Sequence, residues 1–320
     1  MLRSPTISPP TSIEELIGPD LAARLGSLDI SSRRVFAGKL KGERRSKRKG
    51  DSVEFADHRS YVIGDDLRRI DWNIFGRLDR LFMKLFQEEE DLSLHIVIDC
   101  SASGACGEPN KFLWMQRAAA SLGYIGLVNL NRVSLTAIAD RPVAPDGTGQ
   151  PRADSGGIVS VIRNLRAGHR AHDMGRWICS LSPEGRTNFT EAARRIALTR
   201  TGRGVMIVLS DFFYKEGYED GLRALAGRGY DVCAIQVLSP QELDPPLGGD
   251  LRLKDVEDAD IAEITISAPL LKRYKANLSA YCDRLRQFCA QRDMPFMTVQ
   301  SDLPIETLTF DYLRRRGVLR

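Results

Sequence analysis

Leu92-Ser93-Leu94-His95-Ile96-Val97-Ile98-Asp99-Cys100-Ser101-Ala102-Ser103-Gly104 is the stretch that decides the fold. Its first seven residues form an apolar run of strand length, which predicts a strand buried on both faces. The run breaks at once into Asp99, Ser101 and Ser103, three oxygen-bearing side chains at alternate positions. Just beyond the carboxyl end of a buried strand they can converge on one point above the sheet edge, where open α/β folds place their ligands.

Working outward, residues 111–130 read as the helix that follows, and 132–139 with 141–144, joined at Asp140, predict a hairpin. Further on come a strand at 205–209, a helix at 218–227, a strand at 231–238, a helix at 270–292, a strand at 296–300 and a last helix at 305–316. Strands alternating with helices imply α/β architecture: a three-layer, mostly parallel, doubly wound sheet. Segments 145–157 and 239–250, rich in Pro and Gly, read as surface connections. Leu271, Tyr274, Leu278, Tyr281, Leu285 and Phe288 step by three and four along one helical face, and burial against the protein's own sheet is the preferred reading over a coiled-coil partner.

Upstream of residue 91 the texture differs. Residues 1–30 form an N-terminal extension whose amphipathic run, 13–28, is broken at Gly18-Pro19 and suits short helical turns docked on the body. Residues 31–90 show short strand-like pieces at 52–55, 59–63 and 81–86, the mark of a small β-rich accessory subdomain, and 91–320 form the α/β domain. Within this accessory region the block with Arg59, Tyr61, Asp65, Asp66, Arg68, Asp71 and Trp72 alternates Asp with Arg around one Trp, which suits a buried or half-buried ion-pair network clamping the subdomain to the sheet.

The composition narrows the function classes. A chain of 320 residues with 42% hydrophobic and 28% charged residues has ample length for a core and is neither disordered nor membrane-spanning in composition. No stretch approaches the ~18 consecutive apolar residues of a spanning helix, and the N-terminus lacks an apolar signal region, so the expected location is cytoplasmic. Six cysteines without short paired spacing argue for reduced thiols rather than zinc or disulfides. The net charge of +4 is uneven: nine basic residues against Glu43 between Arg33 and Lys49 carry +8, which leaves −4 for the rest. That basic segment supports an alternative reading as a nucleic-acid or anionic-surface binder, although Phe36 is its one aromatic.

A second apolar strand, Val205-Met206-Ile207-Val208-Leu209, ends at Ser210-Asp211, and beside the first strand it would bring a second carboxylate to the same point. Gly185-Arg186-Thr187-Asn188-Phe189-Thr190 offers a further hydroxyl; Thr187 is the choice, with Thr190 as the alternative or as a helix N-cap. Oxygen-only donors suit a hard divalent cation, Mg²⁺ or Mn²⁺, with coordination positions left for water and an incoming group. His169 and His172 lack a third ligand motif and read as an exposed loop. Hydrolase templates fit poorly. Ser101 stands where a haloacid-dehalogenase-type phosphatase needs its second Asp, no G-x-x-x-x-G-K-[ST] loop is present, and no Ser-His-Asp set is recognisable.

Asp-x-Ser-x-Ser after a buried strand, a Gly-x-Thr-Asn turn and a strand ending in Asp resemble the metal-ion-dependent adhesion site of von Willebrand factor A domains. Gly64-Asp65-Asp66-Leu67-Arg68-Arg69-Ile70-Asp71-Trp72-Asn73, with Arg59, Tyr61, Arg77 and Glu88-Glu89-Glu90 around it, resembles the signature of a bacterial domain-of-unknown-function family, number fifty-eight, whose members carry a von Willebrand A-like domain. The resemblance spans residues 35 to 316. It implies Asp99, Ser101, Ser103, Thr187 and Asp211 as the metal site, and association with AAA ATPases of the MoxR type. The resulting expectation is a non-enzymatic interaction module whose Mg²⁺ takes a carboxylate from a partner protein, either a MoxR-type ATPase or its substrate complex. A metal-dependent hydrolase on the same residues is the other alternative. The basic stretch resembles a recurring family feature, and it reads as an exposed hairpin or loop of the accessory subdomain, open to an acidic partner surface.

Overall fold

The computed structural model describes residues 9–32, 54–63, 67, 70–87, 92–140, 157–199, 204–227, 229–254 and 261–320. The basic segment 33–49, the expected hairpin arm at 141–144, and Asp65, Asp66 and Arg68 lie outside these. The chain divides into two compact units, Met1–Ala37 with Leu92–Arg320, and Gly38–Asp91.

In the larger unit the Gly18-Pro19 break separates α1 (Ile13–Leu16) from α2 (Pro19–Leu25), since Pro suits the first turn of a helix and not its interior. Ile13, Leu16, Ile17, Leu21, Leu25 and Leu28 all join the main core. Contact is close enough that a Cβ at Gly175 would lie 2.5 Å from Ile13 Cβ, so only glycine fits there.

The smaller unit holds β1 (Glu54–Ser60), α3 (Trp72–Leu78) and β2 (Phe82–Gln87), with the two strands paired antiparallel. Its helix starts where the Asp71 side chain accepts from the Asn73 and Ile74 N–H groups, a standard N-cap. Ile70 and Met83 are buried and bridge each other.

The large unit is built on a six-stranded sheet in the order β10-β7-β6-β3-β4-β5. Its strands are β3 (Ser93–Asp99), β4 (Arg132–Ile138), β5 (Ile158–Leu165), β6 (Gly204–Ser210), β7 (Tyr230–Leu238) and β10 (Phe296–Gln300), all parallel to their neighbours except β5. Side chains alternate across the sheet. Leu94, Ile96 and Ile98, with Leu135, Ile207 and Ile235, face the layer of α4 (Lys111–Val128) and α5 (Ala171–Cys179). Val97, Val208 and Ala234 face α6 (Phe189–Thr199), α7 (Glu219–Ala226) and the far helix Ala268–Ala290. This is the three-layer, mostly parallel α/β class that the alternating pattern predicts.

Four local expectations are corrected. The antiparallel partner of β4 among the described residues is β5, with Thr136 opposite Val161; it is a half-exposed edge strand, so its apolar alternation is weak. Segment 239–250 is not merely a connection: it contains α8 (Pro240–Leu243) and leads into β8 (Gly249–Lys254), which pairs with β9 (Ile261–Ile266). His169 and His172 lie on a 3-10 turn and on α5, both exposed, so that segment is helical rather than loop. Finally, the last helix is π-wound over Thr307–Tyr312. The apolar stripe of Ala268–Ala290, α9, packs on the protein's own core through Leu278, Tyr281, Leu285 and Phe288, while Tyr274 stays exposed.

Candidate metal-ion site

Register brings the site together. Ile98 pairs with Leu209 on β6 and with Ala137 on β4, so Asp99 and the Ser210-Asp211 pair leave the same sheet edge side by side. Backbone bonds from Ala102 N–H to Gly185 O (2.9 Å) and from Glu184 N–H to Cys100 O (2.8 Å) stitch the 184–187 turn onto the segment after β3. Asp140 and Arg186 exchange backbone bonds beside it. These contacts carry Thr187 to the site.

Asp99 is 2% exposed, and four donors fill its carboxylate. Oδ1 accepts from Ser101 N–H (3.0 Å) and the Thr187 hydroxyl (2.9 Å); Oδ2 accepts from Ser210 (2.7 Å) and Tyr214 (2.8 Å). The Ser101 and Ser103 hydroxyls lie 2.9 Å apart. Asp211 Oδ1 accepts from Phe213 N–H at 3.1 Å, across a turn in which Phe212 has φ of 59°, a left-handed conformation uncommon for a bulky residue and typical of constrained sites. Tyr214 is held in place by stacking on Phe189, ring centroids 4.8 Å apart. The structure therefore brings Asp99, Ser101, Ser103, Thr187 and Asp211 to one edge. Thr190 lies in the first turn of α6, whose N-terminal Glu191 N–H is capped by Asn188 instead.

Sequence reasoning missed Lys111, Glu242 and Tyr214. The Lys111 side chain is 0% exposed, and its ammonium donates to Asp211 Oδ2 (2.9 Å) and Glu242 Oε1 (2.7 Å). Glu242 is itself fixed, because its other oxygen accepts from Ser239 N–H in a capping box. Gly107 has φ of +91°, and a Cβ there would lie 2.3 Å from Ser239 Cβ, so glycine lets the segment ahead of Lys111 pass against the Ser239 turn. A charged helix-start lysine is an ordinary surface pattern in sequence; its burial is a tertiary fact.

The electrostatics follow from burial and pairing. Burial, then the nearby charge of Asp211, raises Asp99 above the ordinary carboxylate range. Burial alone would also raise Asp211, but the Lys111 ammonium outweighs it and holds Asp211 low. Lys111 is desolvated too, yet the two carboxylates facing it keep it protonated well above the usual lysine range. Burial and the Asp99 charge raise Tyr214, which stays a neutral donor.

These donors fit a hard dication. Each hydroxyl that gives its hydrogen away keeps lone pairs for a cation, and with Asp99, Asp211 and Glu242 ionised and Lys111 protonated the cluster carries a formal −2. Negative charge in excess among mostly buried groups is costly, and one divalent ion balances it. Among the described residues no group of three or more His, Cys, Asp and Glu could hold a metal, so any such site depends on the hydroxyls.

A family profile described as "Protein of unknown function DUF58" matches residues 57–282, well over half of the chain. The chain belongs to the DUF58 family. Uncharacterized proteins of Mycobacterium bovis and Mycobacterium tuberculosis are each 26% identical to this DUF58 chain, covering 98% of it and 96% of themselves. Among solved structures it is similar to an aerotolerance-related membrane protein of Bacteroides fragilis (14% identity, TM-score 0.44, 70% of this chain and 98% of that one). Another is mussel byssus proximal thread matrix protein 1 with a zinc-occupied MIDAS motif (17% identity, TM-score 0.34, 46% and 36%). Among the described residues of the DUF58 chain, no helix is long and apolar enough to cross a membrane.

Asp71 is buried, with His58 Nε2 3.0 Å from its carboxylate, whereas Arg59 and Trp72 are exposed and Tyr61 is half-buried.

Proposed function

We propose that this DUF58 protein is a non-enzymatic protein-interaction module that binds a partner carboxylate through a divalent ion, Mg²⁺ or Mn²⁺, at Asp99, Ser101, Ser103, Thr187 and Asp211. The observation that carries the reading is the oxygen-only cluster at the carboxyl edge of β3 and β6, in which Asp99, Ser101, Ser103 and Asp211 are buried together. Ser101, Ser103 and Thr187 supply neutral oxygens. Asp99, whose acceptor positions are taken by four donors, orients Ser210, Tyr214 and Thr187 and supplies charge. Asp211 supplies the second charge. When bound, the ion would offer a Lewis-acidic position to an incoming carboxylate. Lys111, Glu242 and Tyr214, the other groups that could do acid–base work here, are committed to internal bonds, which favours binding over turnover.

The partner we propose is a MoxR-type AAA ATPase or its substrate complex, in keeping with the family signature at 64–73. A pull-down of that ATPase in Mg²⁺ tests both statements. Wild type should retain the partner, and Asp99→Ala or chelator should release it while circular dichroism stays unchanged. Retention indifferent to both treatments would sink the reading, and phosphoester turnover with Mn²⁺ that is lost in Asp211→Ala would replace it with a hydrolase.

A further inference from the structure

Lys111 is the part of this site that a carboxylate-and-hydroxyl motif does not require. Lysine is almost never fully buried unless paired, and here the ammonium sits between Asp211 Oδ2 at 2.9 Å and Glu242 Oε1 at 2.7 Å with no exposed side-chain surface. Its position is fixed from both sides. Asn110 caps the helix that Lys111 starts, through Leu113 N–H at 3.0 Å, and Glu242 is tied to the Ser239 turn by N–H and hydroxyl. Gln241 also bonds both the N–H and the carbonyl of Glu108, joining the two turns directly. The ammonium is thus a built part of the cluster rather than a side chain passing by.

We propose that Lys111 is a resident counter-ion of the metal-ion site, which occupies one oxygen of Asp211 and sets the affinity for a divalent cation, with Glu242 as the carboxylate that offsets its charge. The inference rests on the metal reading above and extends it to regulation of affinity. A fixed positive charge touching one of the two charged acceptors repels an incoming dication, strongly so where water is excluded. Glu242 partly cancels that repulsion. Taking the lysine charge away leaves −3 facing the cation; taking the Glu242 charge away leaves −1; taking both away restores −2.

Mn²⁺ titration of the full chain, with free ion read by electron paramagnetic resonance at constant ionic strength, tests this order. Lys111→Met should bind at least about tenfold tighter than wild type and Glu242→Gln at least about tenfold weaker, with the double variant within about threefold of wild type. Asp99→Asn should abolish uptake in every background. Uptake by Lys111→Met alone, lost with Asp99→Asn, would also support the proposal, since the lysine then excludes the ion from the wild-type site. Equal affinity in wild type, Lys111→Met and Glu242→Gln, still lost with Asp99→Asn, overturns the role of Lys111 and leaves the metal reading standing. No uptake sensitive to Asp99→Asn in any chain overturns the metal reading, and this role with it. Should circular dichroism show Lys111→Met unfolded, Glu242→Gln decides alone, because it keeps the ammonium paired with Asp211: unchanged affinity overturns the proposal.

Discussion

The two units treat charge and apolar surface in opposite ways. In the sheet unit Asp99, Lys111, Ser210 and Asp211 are nearly sealed from solvent and fully engaged with one another. In the Gly38–Asp91 unit Ile70, Asp71 and Met83 are buried, while Val62, Ile63, Leu67, Trp72 and Leu78 stand well exposed. A six-stranded sheet between helical layers has an interior in which a polar cluster can be held rigid. The described residues of the smaller unit form a two-stranded ribbon and a seven-residue helix, and isolated two-stranded ribbons are marginal on their own. The contrast teaches that a dense charge cluster needs surrounding core to fix every partner, so the chain's defined chemistry lies where the core is deepest.

The sharpest way to break that contrast is to remove one carboxylate from each unit. In chelator, Asp211→Ala strands Lys111 with half its counter-charge and is expected to cost about 3–5 kcal/mol. Asp71→Ala removes an N-cap and a histidine partner and is expected to cost about 0.5–2 kcal/mol. Urea unfolding followed by circular dichroism reads the first, and hydrogen exchange over α3 the second; equal losses would erase the distinction. An apolar pair repeats it. Ile207→Ala in the sheet core should cost about 2–5 kcal/mol, while Ile63→Ala, at 96% exposure, should stay within about 0.5 kcal/mol in the same denaturation experiment.

The smallest effect concerns pH. Asp99 is raised, by burial and then by Asp211, so Mn²⁺ uptake is expected to weaken on acidification while the pH is still above the ordinary aspartate value of about 3.9. The stability contributions run in opposite directions. Asp211, held low in the fold, stabilises above its unfolded value and loses that contribution as pH falls through its folded value, whereas Asp99 ionises at a cost to the fold as pH rises through its own raised value. An acid titration of metal-free Asp99→Asn should therefore lose the Asp99 contribution and keep that of Asp211.

Much of this is legible in the sequence. The runs at 92–98 and 205–209 are apolar without interruption because both faces of those strands are covered, and that marks central strands. Asp99, Ser101, Ser103 and Asp211 are conspicuous because they follow such runs at once. The α5 helix and β5 were not legible: α5 begins among His and Arg residues, and β5 is an edge strand with intermediate burial, so neither shows a clean period. The upstream Asp/Arg block is conspicuous in sequence, but of its residues the structure describes a buried Asp71 beside exposed Arg59 and Trp72.

By itself, then, the sequence determined the α/β class, the two textures either side of residue 91 and the oxygen donors waiting at strand ends, since these rest on local period and on what directly follows a strand. Only the tertiary structure decided that β3 lies beside β6, that Thr187 rather than Thr190 reaches Asp99, and that Lys111 is locked between Asp211 and Glu242. Those partners lie roughly a hundred residues apart in sequence, and sheet order and loop stitching bring them together, which no local pattern encodes.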